Sequence, residues 1–410
     1  MTFLVGGISS AGRALPDVQG QAFQVARSAG AYLWDDRGQR YLDTAMGFGA
    51  TLLGHAHPQV LEAVAQAQAE GPMPSFAHAR EEAAAAALAA HCGALSQVIF
   101  LNTGSEAVHL ACRAARGATG RSRIVKFAAA YDGWYDPVAF GNVQSTAARM
   151  EGPRPERNGM LLLRYNDFAD VERLFAEGDD IAAILMEPVL ANAGCLEPAP
   201  GYLQHLADCA HRHGALVILD EVLMGFRLHA GLTGHYLGVD ADLAAVGKAI
   251  GSGIPVAALL GKPDIMRLFE NGQLARAGTY SGNPPACAAV LATLELLARQ
   301  DYPALLARGD TLRTRLAHTF AAHGLPFATS GYGNVFTLWS RSQRPTDYSQ
   351  AEAAADPAWT RALHFALRAQ GVLIMPFAFG RLYLSFAHDD QALDELATAF
   401  AQFASHRAQS

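Results

Sequence analysis

Lysine is almost absent from this chain. Of its 31 basic residues only Lys126, Lys248 and Lys262 are lysines, and the other 28 are arginines. A coding bias towards arginine accounts for the surface, but it has a corollary. A guanidinium stays protonated and cannot form a Schiff base, so a lysine that persists under such a bias is a candidate for work that needs an amine. Cysteine is also sparse: Cys92, Cys112, Cys195, Cys209 and Cys287 are odd in number and scattered. They form neither a disulfide framework nor a CxxC metal pair, and reduced buried thiols are expected. The longest apolar run, Ala83 to Ala90, is mostly alanine and too short to span a bilayer. The N-terminus, MTFLVGGISSAGRAL, lacks the basic region of a signal peptide. A cytoplasmic protein that binds no membrane is expected. With a net charge of -7 and no basic stripe, a nucleic-acid footprint is excluded. No GxGxxG follows a strand. Neither Gly247-Lys248 nor Gly261-Lys262 has the glycine five residues earlier that a P-loop requires.

What remains is a chain of 410 residues, 51% hydrophobic, long enough for a large core and more than one domain. Its middle alternates short apolar segments with helical patterns. Strands are predicted at 97–102, 123–127, 181–186, 215–219 and 243–246, and helices at 105–116 and 202–213. This alternation predicts an α/β fold with a mostly parallel sheet covered on both faces. Residues 30–43 read as a hairpin turning at Asp36-Arg37-Gly38. Long helices are predicted at 285–299, 302–323 and 390–403. The expected domains are 1–50 and 291–410, the two parts of a smaller α+β unit, around a large domain at 51–290.

In open α/β sheets ligands bind beyond the carboxyl ends of the strands. Here those ends carry Asn102 to Ser105, Tyr131, Glu187, Asp220 and Lys248. Thr103-Gly104-Ser105-Glu106 between a strand and a helix suits a phosphate, since glycine permits close approach and helix-start amides are free. An ordinary N-cap explains the same residues. Asp220 ends a buried apolar strand and needs a partner; a protonated pyridine nitrogen would serve, and so would a role as a cap. Burial would leave Lys248 nucleophilic, unless it is a surface lysine beside the Gly251-Ser252-Gly253 turn. Tyr131 could stack on a flat ring or pack in the core. His55/His57 and His211/His213 lack a third ligand, so no metal is expected.

The order of these parts resembles the class III aminotransferases, pyridoxal-phosphate enzymes of fold type I, over nearly the whole chain. The resemblance is nearest to the glutamate-1-semialdehyde 2,1-aminomutase branch. It is carried by GGISSAGRA (6–14), GAYLWDDRGQRYLD (30–43), LGHAHPQVLEAV (53–64), NTGSEAVHLACRAARGATGR (102–121), DEVLMGFR (220–227), GVDADLAAVGKAIGSGIPVAALLG (238–261) and GTYSGNPPACAA (278–289). The resemblance implies pyridoxal 5'-phosphate as cofactor, Lys248 as its Schiff-base lysine and Asp220 as the acid that pairs with the pyridinium nitrogen. It implies that Val222 and Tyr131 flank the ring, and that Gly104 and Ser105 hold the phosphate. Glu187 belongs to the same cofactor shell, and Asn192 lies near the ring hydroxyl. Thr279 would reach the phosphate of a neighbouring subunit, which implies a homodimer with shared active sites. Arg13 matches a substrate-carboxylate arginine, and Phe48 falls where the branch has a pocket Trp.

The chain also departs from the branch. Asp132 replaces the His of a Tyr-His-Gly motif, and Met224 replaces a Thr. The stretch 136–165 is shorter than the aminomutase gating loop. Gly380 and Arg381 stand where the branch has Glu and Ala, which makes Arg381 a second candidate for a substrate carboxylate. The expected activity is transamination between a carboxylate-bearing amino compound and a keto acid. The alternatives are an intramolecular aminomutase or racemase on the same scaffold, and a non-catalytic binder.

Overall fold

A computed structural model describes residues 3–409 apart from 19, 144, 152, 153, 177 and 179. Its centre is an eight-stranded sheet. The strand order is Gln97–Leu101, Ala257–Gly261, Leu243–Val246, Leu216–Glu221, Ile181–Met186, Arg123–Phe127, Met160–Leu163, Glu156–Arg157. The central pairings are parallel. Ala257–Gly261 runs antiparallel to both its neighbours. Two reversals cancel, so Gln97–Leu101 points the same way as the parallel strands. The carboxyl ends of six strands therefore open at one edge.

The sheet is buried on both faces, and its side chains sort with the period of two that a pleat imposes. Ile99, Leu185, Ile218, Ala245 and Leu259 pack on one face with the helix Gly104–Thr119. Phe100, Ile184, Leu219, Val246 and Leu260 face the opposite way. Helix Gly104–Thr119 starts with a capping box: Thr103 Oγ1 accepts from Glu106 N–H (3.2 Å), and Glu106 Oε2 accepts from the N–H groups of Thr103 and Asn102 (both 2.9 Å). Helix Pro284–Leu297 packs on Pro58–Glu70 and Ala79–Ala89.

The chain ends meet. Val25–Ala29, Tyr32–Asp35 and Arg40–Asp43 form a sheet whose fourth strand is Val372–Leu373. A three-stranded sheet of Ala328–Tyr332, Val335–Trp339 and Arg381–Tyr383 lies alongside, and Tyr383 N–H bonds to the Thr44 carbonyl (2.8 Å). Among the described residues no helix is long and apolar enough to cross a membrane.

Candidate active site

Strand register brings the main groups together. Ala245 lies opposite Asp220, Val246 opposite Glu221, and Met186 opposite Leu219. Glu187 follows Met186 directly, and Lys248 comes two residues after Val246. All three leave the sheet at the same edge. Lys248 adopts φ +44°, a left-handed conformation that costs a residue with a Cβ. It sits at the start of the short turn Lys248–Gly251, whose next three residues are buried. Strain of this kind persists where surrounding structure imposes it, and it gathers at functional sites. Burial lowers the amine to about 8, with Asp220 and Glu187 opposing the shift and Arg381 adding to it. Near neutral pH an appreciable share of the amine is free.

Asp220 is buried, and its Oδ1 accepts from Val222 N–H at 3.0 Å. Among the described residues no Lys, Arg or His stands within ion-pair distance of it. Burial first, then the nearby Asp132 and Glu187, push its carboxyl well above the ordinary range. The adjacent Glu221 points to the opposite face. It accepts from Gly234 N–H (2.6 Å) and Thr233 N–H (3.1 Å), and burial raises it to about 7. Glu187 is taken up by backbone: Oε1 accepts from Tyr131 N–H (2.9 Å) and Oε2 from Ala191 N–H (3.3 Å). It thereby anchors both Tyr131, which is 44% exposed, and the turn Ala191–Ala193 that bears the half-buried Asn192.

The helix start lies on the Asp220 face of the sheet. Gly104 and Ser105 are half-buried. A Cβ on Gly104 would lie 2.7 Å from Val222 Cγ1, so glycine is what lets Val222 and this loop approach each other. Gly104→Ala is expected to force Val222 aside, costing about 1–3 kcal/mol of overpacking and weakening cofactor uptake. A titration of apoprotein checks this, and unchanged affinity would show that the contact does not matter.

Arg381 lies on the outer strand of its sheet but turns inward. Its Nε donates to the Tyr383 hydroxyl (2.6 Å), and Nη1 donates to the Ala191 carbonyl (3.1 Å). No carboxylate pairs with it among the described residues. Phe48 is held at φ +56° in the tight segment Met46–Gly49, and Gly12 lies against its ring. Arg13, next to Gly12, is exposed. Thr279 is not gathered with the rest. It is exposed in a turn and shares an open cleft with Phe76, His78 and Glu81.

Two features escaped the sequence reading. Lys126 forms a fully buried ion pair with Asp132, Nζ to Oδ2 2.9 Å. The signal was there: a lysine within the apolar RIVKF strand must find an acid. Arg227 is also fully buried; its guanidinium bonds to the carbonyls of Gly49 and Leu223 and lies 5.2 Å from the Tyr383 ring centre. Nothing in DEVLMGFR distinguishes it from a surface arginine. The histidine pairs are used separately: His55 bonds to Asp43 (2.7 Å), His211 to Asp242 (2.9 Å).

The family model for class III aminotransferases matches residues 16–403. The chain belongs to this family. As a class III aminotransferase it is a pyridoxal-phosphate-dependent enzyme of fold type I. Among its relatives is a glutamate-1-semialdehyde 2,1-aminomutase from Thermomicrobium roseum, 39% identical over 97% of this chain and 94% of the relative. A β-phenylalanine aminotransferase from Variovorax paradoxus superposes with TM-score 0.90 at 29% identity, covering 99% of this chain and 92% of that one. A transaminase with pyridoxal phosphate bound superposes with TM-score 0.87 at 28% identity, covering 100% and 96%. The residues present suit that cofactor. Asp220 is a buried acid with no cation at ion-pair distance among the described residues, Lys248 is an amine with a lowered proton affinity, and a helix start with Gly104 faces the same side.

Proposed function

We propose that this aminotransferase moves an amino group between a carboxylate-bearing amino compound and a keto acid. The observation that carries the reading is Arg381. It is a guanidinium turned into the site whose hydrogen bonds, among the described residues, go to a hydroxyl and backbone carbonyls, so it can offer its planar fork to a carboxylate. Arg13 is the second candidate, for the other carboxylate, with Phe48 beside it. Each half-reaction presents a carboxylate, and two arginines suit that alternation.

Bound pyridoxal phosphate supplies an aldehyde that joins to amines and a ring that accepts electrons. Lys248 Nζ would hold the cofactor at rest; once freed, it would carry the proton from the carbon bearing the amino group to the aldehyde carbon of the cofactor. Asp220 would keep a proton on the ring nitrogen. Val222 and Tyr131 would flank the ring, Gly104 and Ser105 would bind the phosphate, and Asn192 would stand by the ring hydroxyl with Glu187 behind it. Thr279, together with the exposed Tyr280 and Phe76, supports a homodimer in which Thr279 serves the partner subunit's phosphate. An active monomer in dilute sedimentation runs would contradict this. Five buried free cysteines agree with a reducing cytoplasm.

The second reading is an intramolecular aminomutase, favoured by the 39% identical relative of that name. Paired assays separate the two. Transamination predicts stoichiometric loss of one keto acid and gain of another. Arg381→Ala should then raise KM by roughly 10- to 100-fold, since a charged hydrogen bond is worth about 1.5–3 kcal/mol. Efficient conversion of glutamate semialdehyde to 5-aminolevulinate, with no keto acid accepted, would overturn the proposal.

A further inference from the structure

Lys126 and Asp132 form the one ion pair among the described residues in which neither side chain is exposed at all. Such a pair adds little to stability, because well-packed apolar residues of similar volume often serve a fold as well or better. Its place suggests a different use. Asp132 makes no contact with another cation among the described residues. Lys126 is committed further: its ammonium also bonds to the Val138 carbonyl and to Asn142 Oδ1 (2.9 Å), with a longer contact to the Ala130 carbonyl (3.4 Å). All these acceptors belong to the loop that leaves the strand Arg123–Phe127. Asn142 carries the restraint onward, donating from Nδ2 to the Gly133 carbonyl (3.2 Å). Gly133, at φ +123°, lies so close to Ser105 that a Cβ on it would come within 2.8 Å of Oγ. Between Ala130 and Gly133 stands Tyr131, whose N–H is held by Glu187.

We propose that Lys126 and Asp132 are a positioning pair, which fixes the 130–142 loop so that Tyr131 meets the cofactor ring and Gly133 supports Ser105 at its phosphate. This rests on the cofactor-binding roles proposed above. Neither residue touches the reacting atoms. Lys126 offsets the charge of Asp132 beside a wall already crowded with Glu187 and Asp220, and its ammonium also ties the loop at Ala130, Val138 and Asn142. The departure of Asp132 from the family's His then has its partner in Lys126.

The test is the double variant Lys126→Met/Asp132→Leu, which removes both charges and leaves neither stranded. The expected melting temperature falls by no more than a few degrees, because both charges go together while the Val138 and Asn142 acceptors lose their donor. Uptake of pyridoxal phosphate by the apoprotein should weaken about tenfold, and amides within 130–142 should exchange faster in the apoprotein. A purely structural pair would not separate loop exchange and affinity from melting. Wild-type affinity and exchange in the double variant would overturn the proposal alone. Wild-type apoprotein that takes up no pyridoxal phosphate would overturn both the cofactor roles and the proposal. Should the double variant fail to fold, Asn142→Ala keeps the ion pair and cuts the link to Gly133. Weaker uptake is expected there too, and wild-type uptake by folded Asn142→Ala would overturn the proposal.

Discussion

Lys248→Ala is expected to abolish turnover, with a fall of about 10⁴-fold or more, and to remove the visible absorption band of the lysine-bound cofactor. The fold should survive. Alanine keeps the Cβ that already tolerates φ +44°, so no new backbone strain arises. Stability should not fall near neutral pH. The folded amine, lowered to about 8, binds its proton less tightly than an unfolded lysine near 10.5. Its burial therefore costs stability below about pH 8, and the cost fades as pH rises through 8 towards 10.5. Melting curves of wild-type and variant apoprotein at pH 7 and pH 10 check the sign. The competing lysine is Lys126, the other one with a buried ammonium. Its Nζ is fully engaged by Asp132, Val138 and Asn142. A band that persists in Lys248→Ala, or that disappears instead in Lys126→Met, would reassign the linkage.

Asp220→Asn should retain cofactor and lose most activity, on the order of 10²–10³-fold. Asparagine has nearly the shape of aspartate, and its Oδ1 can still accept from Val222 N–H, so the strand end should hold. What it lacks is the charge that keeps a ring nitrogen protonated. The apoprotein should also become easier to fold. Asp220 stands in a buried site with Asp132 and Glu187 nearby and no ion-pairing cation among the described residues, and a neutral amide relieves that crowding. The combined expectation is a higher melting temperature for the apoprotein, cofactor still bound, and a collapsed kcat. A near-wild-type kcat would make Asp220 a structural acid.

Much of this was legible in sequence because the sheet obeys a simple rule. Apolar runs of four to six residues end where polar groups begin, and Glu187, Asp220 and Lys248 each stand just past such an end. The hairpin at 36–38 and the long helices are marked by their own turn and capping residues. The strand Ala257–Gly261 was not read, because AALLG follows a glycine-rich turn and looks like the continuation of a loop. Only its pairing with both neighbours reveals that it separates the first strand from the parallel set. The partners of Arg381 were likewise invisible. Ala191 comes from a distant part of the chain, and although Tyr383 stands only two residues on, no local pattern announces an arginine turned inward from an outer strand. The Lys126–Asp132 pair was half-visible, as two unusual residues whose proximity a linear reading could not supply.

Asp220-Glu221 has a consequence for how the chain finds its native alignment. The two acids are chemically near-twins, one methylene apart, and they occupy successive positions of a pleated strand. A slip of one residue would either present Glu221 on the cofactor side, with Asp220 drawn back to the place of Leu219, or bring Asp220 to the amides of Thr233 and Gly234, with Leu219 on the cofactor side. The slipped strand would still be apolar in its first four residues, so hydrophobic burial alone discriminates weakly against it. Glu221 supplies the discrimination. Its two oxygens reach two consecutive amides, a span that an aspartate one position away is too short to bridge. The acid with no part in the chemistry thus acts as a proofreading element for the one beside it. Correct assembly of the sheet edge is checked twelve residues further along the chain, away from the site that depends on it.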